Sequence, residues 1–555
     1  MVLHSSIASA LEKCSDITKT APTLFLQSDK IRLFGYACLF YYGINSVAQL
    51  SRELMIYGLV PTIRAYTKIL FQKFFQALQG VSFVKNVVDN KVGKIVDKLQ
   101  KDMINEDAKN GIPDYISLPA EGMTDDAVLE ILESRMKEGK IDWKNGRVSG
   151  AIYHGGDDMV NLTNKAISLY NVTNPLHPGV FPGLRRLEAE IVAMTLEMFH
   201  GDNEQCGVTT SGGTESIIMS IRAHLQFAKS TKNITKPNII VPVTIHTAFD
   251  KACDYFGIEI IHIPIDEKTG KVVLSAVKNA INYNTIMLAG SAVNYPHGVM
   301  DDIKSLSEIA QKYNIGMHVD CCLGSFVIAF MEQAGYDVDV FDFRLPGVTA
   351  ISCDTHKYGF APKGTSVLMF ANKELRRYMY FIATKWPGGI YASPSMPGSR
   401  PGSLIAGCWA AMTSMGKQGY ISSCKNIIES RMKIQKGIES IKELFIIGNP
   451  ICSVVAFGSI KSVNIYSIKD SMEKKGWDLS TLHYPPALHI ACTMLTIGNE
   501  EQLLEDLQAS VNEVIADPMK YSAGSAAMYG AAVSLPDDAP IETIAAGFID
   551  SLYAT

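Results

Sequence analysis

The sequence lacks the features that mark nucleic-acid-binding, disulfide-bonded and secreted proteins. Its 51 basic and 56 acidic side chains leave a net charge of -5, and the basic residues are scattered, which argues against a nucleic-acid partner. The 11 cysteines include no CxxC pair, so we interpret them as reduced thiols of a reducing compartment. The first 30 residues contain no apolar run that would act as a secretory signal. No metal site is predicted.

A hydrophobic run of full membrane-spanning length is also missing, although one segment comes close. Residues 33–48 read LFGYACLFYYGINSVA, which is shorter than the roughly 20 apolar residues of a spanning helix. Two alternatives stay open for this segment, taken as about 33–51: a membrane anchor that spans the bilayer, or a buried or interfacial helix. If it spans, the basic residues that follow, from Arg64 to Lys94, place the rest of the chain in the cytosol.

The 555 residues exceed what one hydrophobic core usually serves, so we predict several folding units. Past Gly150, short β-branched strands alternate with helical stretches, which predicts the α/β class with a mostly parallel sheet covered by helices. The predicted units are an N-terminal segment with the candidate anchor, a helical connector, a large α/β domain and a smaller α+β C-terminal domain, at residues 1–60, 61–150, 151–402 and 403–555.

One motif predicts a phosphate-binding site. The run Ser211-Gly212-Gly213-Thr214 precedes the helical pattern IIMSIRAHLQFA, so glycines open a helix whose free N–H groups and dipole favour a phosphate. The hydroxyl of Thr214 adds a further donor. The alternative is an ordinary glycine turn with a capped helix, because this motif alone does not decide between the two.

Three further side chains lie near the ends of predicted strands, where ligands bind in open α/β sheets. His246 follows NIIVPVTI, in a position to stack on a flat ring, and Asp320 ends GMHVD, in a position to pair with a protonated pyridine nitrogen. Lys357 follows AISCD beside His356, and we expect burial and a nearby cation to lower its pKa and favour an amine that attacks an aldehyde. Each has a structural alternative alone, but the ordered set predicts a pyridoxal phosphate (PLP) site.

Longer runs extend this pattern: SGAIYHGG, NPLHPGVFPGLRRLEAEIV, TSGGTESI, HTAFDKA, HVDCCLGSF, DTHKYGFAPKG and WPGGIYASPSMPGSRPG. They resemble the sphingosine-1-phosphate lyases, fold-type I PLP enzymes of the group II decarboxylase superfamily, over roughly residues 110–555. The resemblance implies that Lys357 forms the Schiff base with PLP, that Asp320 pairs with the pyridine nitrogen and that His246 stacks on the ring. The residues implied at the cofactor phosphate are Gly213, Thr214 and His356.

The same resemblance implies a second phosphate site, for the substrate. The side chains implied there are Tyr153, Asn174, His177, Lys363 and Ser399. A phosphate monoester needs cationic and hydroxyl donors of this kind, whereas a plain amino-acid decarboxylase does not. Tyr153 and His356 are implied, with Lys357, as catalytic residues.

The activity that the resemblance implies is retro-aldol cleavage of phosphorylated sphingoid bases, such as sphingosine or sphinganine 1-phosphate, in sphingolipid degradation. The expected products are a long-chain aldehyde and phosphoethanolamine. The resemblance also implies a homodimer with the active site at the interface, and an N-terminal anchor in the endoplasmic reticulum membrane with the catalytic domain facing the cytosol. Two alternatives stay open: an amino-acid decarboxylase of the same superfamily, and a catalytically silent PLP-fold protein that serves as a membrane scaffold.

Overall fold

The structure is a computed structural model that describes residues 29–79, 90, 92–97, 101, 114–138, 141–518, 520–521 and 539–554. Residues 1–28, and most of the predicted helical connector between 80 and 113, lie outside the described residues. The described parts that precede the large domain include helices α1 Asp29–Tyr57, α2 Leu59–Gln79 and α3 Asp125–Arg135, and a short 3-10 helix at Trp143–Asn145.

Helix α1 contains residues 33–51, the candidate membrane anchor. Within the described ranges, no helix, α1 included, is both long and apolar enough to cross a membrane. The C-terminal end of α1 docks on the large domain, where Arg52 Nη2 donates to the carbonyl of Ala280 at 2.9 Å. In return, Asn279 Nδ2 donates to the carbonyl of Met55 at 2.9 Å. These two hydrogen bonds fix this end of α1 to the catalytic body.

A central sheet of seven strands builds the large domain: β1 Cys206–Thr210, β2 Asn238–Pro242, β3 Glu259–Ile263, β4 Thr285–Ser291, β5 Gly316–Asp320, β6 Ala350–Cys353 and β7 Ser366–Phe370. Their order is β1-β7-β6-β5-β4-β2-β3. In this order, the five consecutive strands β6, β5, β4, β2 and β3 are parallel to their neighbours, whereas β7 is antiparallel to both β6 and β1. Strand β2 is buried along its whole length, as in sheets that are covered on both faces. The predicted α/β class with a mostly parallel sheet is confirmed.

Helices alternate with these strands and pack around the sheet. They are α4 Asp157–Leu169, α5 Pro182–Met198, α6 Gly213–Lys232, α7 Ala248–Phe256, α8 Leu274–Ala280, α9 Ile303–Tyr313, α10 Ser325–Ile328 and α11 Lys373–Arg377. Helix α6 contacts β1, β4, β5, β6 and β7, so its N-terminus is held at a fixed place over the sheet. A short hairpin of β8 Phe381–Ala383 and β9 Tyr391–Ser393 then leads out of the large domain.

The C-terminal part of the chain combines long helices with a small antiparallel sheet. Its elements are α12 Gly402–Ser440, β10 Leu444–Ile446, β11 Val454–Ser459, α13 Ile465–Lys474, β12 Ser480–Leu482, β13 Ala487–Ala491, α14 Glu500–Ala516 and α15 Ala539–Ser551. The strand order is β10-β11-β13-β12. Helix α12 begins beside the predicted boundary at residue 402 and packs against α4 and α5. The domain boundaries themselves stay predictions.

The carboxyl ends of three central strands meet at one edge of the main sheet. The register pairs Ser291 of β4 with Asp320 of β5, and Asp320 with Ser352 of β6. Asp320 therefore emerges next to the turn that follows β6, which carries Asp354 and Lys357. This is the edge at which ligands bind in open α/β sheets.

Candidate active site

Lys357 is paired with a buried carboxylate that the motif places three residues before it. Its Nζ lies 3.0 Å from Asp354 Oδ2, and the two side chains are 20% and 3% exposed. Burial by itself would lower the pKa of Lys357, but the Asp354 carboxylate outweighs it, and the pKa is raised. The expectation of a lowered lysine pKa is therefore wrong, because it considered burial and His356 but not Asp354.

The pKa shifts of the neighbouring groups agree with a protonated Lys357 beside an ionised Asp354. Burial acts to raise the pKa of Asp354, yet Lys357 and then His356 hold it below its usual value. Burial lowers the pKa of His356, so this imidazole is neutral at pH 7 rather than a cation beside Lys357. Thr365 N–H donates to His356 Nδ1 at 3.3 Å, which leaves the ring proton on Nε2, 3.7 Å from Asp354 Oδ2.

The start of α6 approaches this ion pair closely because it begins with glycines. A Cβ atom on Gly213 would lie 2.7 Å from Cys322 Sγ and 2.9 Å from Asp354 Oδ2. Distances this short exclude any side chain at residue 213 without movement of its neighbours. The start of α6, with its free N–H groups, therefore lies beside Asp354, the partner of Lys357, and the next residue, Thr214, is exposed.

Asp320 and His246 lie at the same edge, but differ in exposure. Asp320 is 6% exposed, and its Oδ1 accepts a hydrogen bond from the N–H of Cys322 at 3.1 Å. His246 is exposed, and its Nδ1 accepts from the N–H of Ala248 at 3.1 Å. This hydrogen bond fixes the orientation of the His246 ring. The side chain stays exposed, and a ring that stacks on a ligand must be accessible in this way.

Lys363 and Tyr153 form a second group beside the Lys357 pair. Lys363 Nζ lies 4.5 Å from the centroid of the Tyr153 ring, and Tyr153 packs edge-on against Tyr358 at 4.8 Å between ring centroids. Partial burial, and then repulsion from Lys357, lowers the pKa of Lys363. Burial raises the pKa of Tyr153, so its hydroxyl keeps its proton at neutral pH.

The remaining predicted residues of the substrate phosphate site do not all contact one another. Asn174 Nδ2 donates to Ser399 Oγ at 3.0 Å, and Ser399 lines a cavity of about 550 Å³ together with Thr214. The structure thus brings one residue of each predicted phosphate site to the same cavity. The His177 side chain is exposed and hydrogen-bonds to no residue that the structure describes.

Sequence reasoning missed two carboxylates of this region. Asp354 lies within the quoted motif, and its spacing of three residues from Lys357 was a usable signal. Glu188, on α5, forms an ion pair with Arg400, and Arg400 Nη1 also donates to Thr209 Oγ1 at 3.0 Å. No local signal connects Glu188 with Arg400, since they are far apart in the chain.

The residues present fit PLP. The site offers a lysine amine, a buried carboxylate for the pyridine nitrogen, and a glycine-opened helix start for the phosphate. Asp354 Oδ1 is buried and has no hydrogen-bond partner in the described part of the chain, so the carboxylate keeps acceptor capacity at the point where a ligand would contact Lys357.

The change Asp354→Asn is expected to speed the binding of PLP to the apo-protein at pH 7. The Lys357 amine reacts only after losing its proton, and its raised pKa keeps the neutral fraction small, so the wild-type rate rises about tenfold per pH unit between pH 7 and 9. Without the carboxylate, burial lowers the pKa of Lys357, and the rate becomes faster and less dependent on pH. Stopped-flow absorbance after mixing apo-protein with PLP measures both rates.

The pH dependence of folding stability does not affect this comparison of PLP-binding rates. The depressed pKa of Asp354 contributes stability above its ordinary value of 3.8 that is lost as the pH falls. The raised pKa of Lys357 contributes stability below its ordinary value of 10.5 that is lost as the pH rises further. Both contributions are complete between pH 7 and 9. Asp254→Asn, on the exposed side of α7, is the matched control, and identical pH profiles for Asp354→Asn and wild type contradict the prediction.

Comparison with known proteins gives consistent matches. Residues 84–460 match the family model described as the pyridoxal-dependent decarboxylase conserved domain. The chain is 43% identical over 508 residues to the sphingosine-1-phosphate lyase of Saccharomyces cerevisiae, covering 90% of this chain and 85% of that protein. It is 44% identical over 492 residues to the lyase of Dictyostelium discoideum, covering 88% and 92%.

Solved structures agree with these matches. The sphingosine-1-phosphate lyase of Burkholderia pseudomallei superposes with a TM-score of 0.71 at 39% identity, covering 74% of this chain and 95% of that chain. The glutamate decarboxylase of Lactobacillus brevis, at 18% identity, has a TM-score of 0.63 over 73% of this chain and 96% of that chain. This second likeness extends to the fold alone.

Proposed function

This chain belongs to the pyridoxal-dependent decarboxylase family and, within it, to the sphingosine-1-phosphate lyases, and we propose that it cleaves phosphorylated sphingoid bases with PLP as its cofactor. The reaction breaks the C2–C3 bond of the substrate by retro-aldol chemistry. The C3 hydroxyl loses its proton as it becomes a long-chain aldehyde, and C2 gains a proton to give phosphoethanolamine. The amino-acid decarboxylase and silent-scaffold alternatives are not favoured by the relatives.

The cofactor-holding roles follow from the groups around Lys357. Lys357 supplies the attachment point, Asp320 the carboxylate for the pyridine nitrogen and His246 the stacking ring, while Gly213 and Thr214 supply donors for the phosphate, with His356 near it. When bound, PLP supplies an electron sink for the electron pair that the broken C2–C3 bond leaves on the substrate. Asp320 strengthens that sink by favouring the protonated ring.

The position of Lys363 is the observation that most directly supports a phosphorylated substrate. Its ammonium lies against the Tyr153 ring and within 3.5 Å of the His356 carbonyl, close enough to influence Lys357. Asp354 offsets the charge of Lys357, but burial and Lys357 together still lower the pKa of Lys363, so a further anion at this site would stabilise the Lys363 ammonium. A substrate phosphate, also contacted by Tyr153 and Ser399, is such an anion.

Proton transfer is assigned from the protonation states of two side chains. Tyr153 keeps its proton because burial raises the pKa of its hydroxyl, so it is the proposed donor to C2. His356 is already occupied on Nδ1 by the Thr365 N–H, and its Nε2 proton faces Asp354. Tyr153 is therefore the better placed of the two groups to supply a proton.

Release of a long-chain aldehyde from sphinganine 1-phosphate, compared between wild type and Lys363→Ala, tests the proposal. Loss of a hydrogen bond to a charged group costs about 1.5–3 kcal/mol, so KM is expected to rise about tenfold to a hundredfold in the variant. The aldehyde is quantified by chromatography after derivatisation.

Lys417→Ala is the matched control, because Lys417 is exposed and forms only a surface ion pair with Glu197. Equal KM values for Lys363→Ala and wild type overturn the phosphate-site assignment. Release of carbon dioxide from an amino acid, with no aldehyde from the lipid, overturns the lyase proposal itself.

The homodimer and the membrane location are proposals that rest on the resemblance. Helix α3 has no buried residue and exposes Leu129 and Leu132, with the exposed Met136 directly after it, which supports a partner surface there. The exposed His177 suits a site that a second chain completes. The mass in solution by light scattering checks for two chains. Fractionation of cells checks the predicted endoplasmic reticulum location, with the catalytic domain facing the cytosol.

A further inference from the structure

The phosphate-binding loop contains a buried acidic residue. Glu215 directly follows Thr214 in the first turn of α6 and is 7% exposed. A carboxylate beside a bound phosphate repels it, and a buried charge is costly unless hydrogen bonds satisfy it. Its presence in a loop that binds phosphate therefore calls for a role that offsets the repulsion.

The carboxylate of Glu215 reaches back to the residue before the N-cap of α6 and joins two segments. Oε2 accepts hydrogen bonds from the N–H of Ser211 at 2.7 Å and from Ser211 Oγ at 2.6 Å. Oε1 accepts from the N–H of Met396 at 3.0 Å. One side chain thus links the loop 211–214 to a segment whose contact residue, Met396, lies 181 residues after Glu215 in the chain.

The second segment, residues 396–400, leads to Ser399. Ser399 Oγ accepts from Asn174 Nδ2, and Ser399, Thr214 and Glu215 line the same cavity. The N–H of Arg400 donates to Asn174 Oδ1 at 3.3 Å. Glu215 joins this segment directly to the phosphate loop. Its contact in the segment precedes Ser399 in the sequence, whereas Arg400 follows Ser399.

We propose that Glu215 is a positioning residue that holds the loop 211–214 and the segment 396–400 in fixed register, so that the affinity for PLP and the affinity for the phosphorylated substrate both depend on it. The substrate half of this statement rests on the proposed function, whereas the PLP half does not. Glu215 contacts neither ligand and acts through Ser211 and Met396.

Two substitutions separate the effect of the hydrogen-bonded link between the two segments from the effect of the negative charge of Glu215. In Glu215→Gln one of the two oxygens becomes an NH₂ group, which faces a donor and cannot accept from it, so one link is lost. In Glu215→Asp the charge remains, but the side chain is one methylene shorter and reaches only one of the two segments. If the link is what matters, the two variants behave alike despite their different charge.

The experiment measures PLP affinity by absorbance titration of apo-protein, and then KM and kcat for sphinganine 1-phosphate at saturating PLP. We expect the PLP dissociation constant and KM to rise about tenfold each in both variants, the effect of losing one hydrogen bond to a charged group. The kcat is expected to stay within about threefold, because Lys357, Asp354 and Tyr153 are unchanged. Glu197→Gln, which removes an exposed carboxylate on α5, is the matched control and is expected to match wild type.

Three outcomes overturn the inference: unchanged PLP affinity in both variants, a loss confined to kcat, or a normal Glu215→Asp beside an impaired Glu215→Gln, which assigns the effect to charge. If Glu215→Gln does not fold, as judged by its circular dichroism, Glu215→Asp decides the question alone. If wild-type protein releases no aldehyde but the Glu215 variants bind PLP about tenfold more weakly than wild type, the proposed function is refuted and the PLP half of this inference is supported.

Discussion

The change Lys357→Ala is expected to lower aldehyde release by at least about 10³-fold, because it removes the amine that attaches PLP covalently. Lys357 is the proposed attachment point, and its Nζ lies 3.0 Å from the buried Asp354 carboxylate. Aldehyde formation is measured together with the visible absorption of bound PLP, which should disappear in the variant.

Two controls separate chemistry from stability in this experiment. Lys357→Ala leaves Asp354 buried without its cation, which destabilises proteins strongly, so the double variant Lys357→Ala/Asp354→Asn removes the unpaired charge. We expect no recovery of activity in the double variant. Lys363→Ala should keep the visible absorption band. A Lys357→Ala protein with wild-type absorption and rate places the attachment elsewhere, and a wild type with no band favours the silent scaffold.

The strands and their carboxyl ends could be predicted because buried parallel strands carry an unbroken apolar pattern. NIIVP and TIMLAGS are buried throughout. Asp320 is the last residue of β5, and Lys357 lies four residues after the end of β6. Strand β1, CGVTT, was not predicted, because it is short and its residues alternate in size without an apolar run. It is recognised only through its antiparallel pairing with β7.

The protonation state of the site could not be predicted from the sequence, because it depends on which side chains meet in space. The sequence neighbours of Lys357 suggest a lowered pKa, whereas in the structure Asp354 lies 3.0 Å from its Nζ. The same limit applies to Glu215, whose partner Met396 is distant in sequence. A motif gives the residue types at a site, whereas the sign of a pKa shift depends on the distance between charges.

The environment of Asp320 allows its charge to be tested separately from its shape. It ends β5 in register with Ser291 and Ser352, and its Oδ1 accepts from the backbone N–H of Cys322. An asparagine carbonyl accepts that same hydrogen bond. The substitution Asp320→Asn therefore preserves the local backbone contact and removes only the negative charge.

Asp320→Asn is expected to lower kcat by about 10²–10³-fold, the size of effect seen when one preorganised electrostatic contact to the reacting group is removed. Without the carboxylate the pyridine nitrogen is protonated less readily, so electrons from the C2–C3 bond are accepted less well. The measurement is kcat at saturating PLP and substrate, with PLP binding checked by titration. Asp254→Asn provides the matched substitution at an exposed aspartate. A variant that binds PLP and keeps the wild-type kcat removes Asp320 from this role, and the ring nitrogen must then be paired with another group at the same sheet edge.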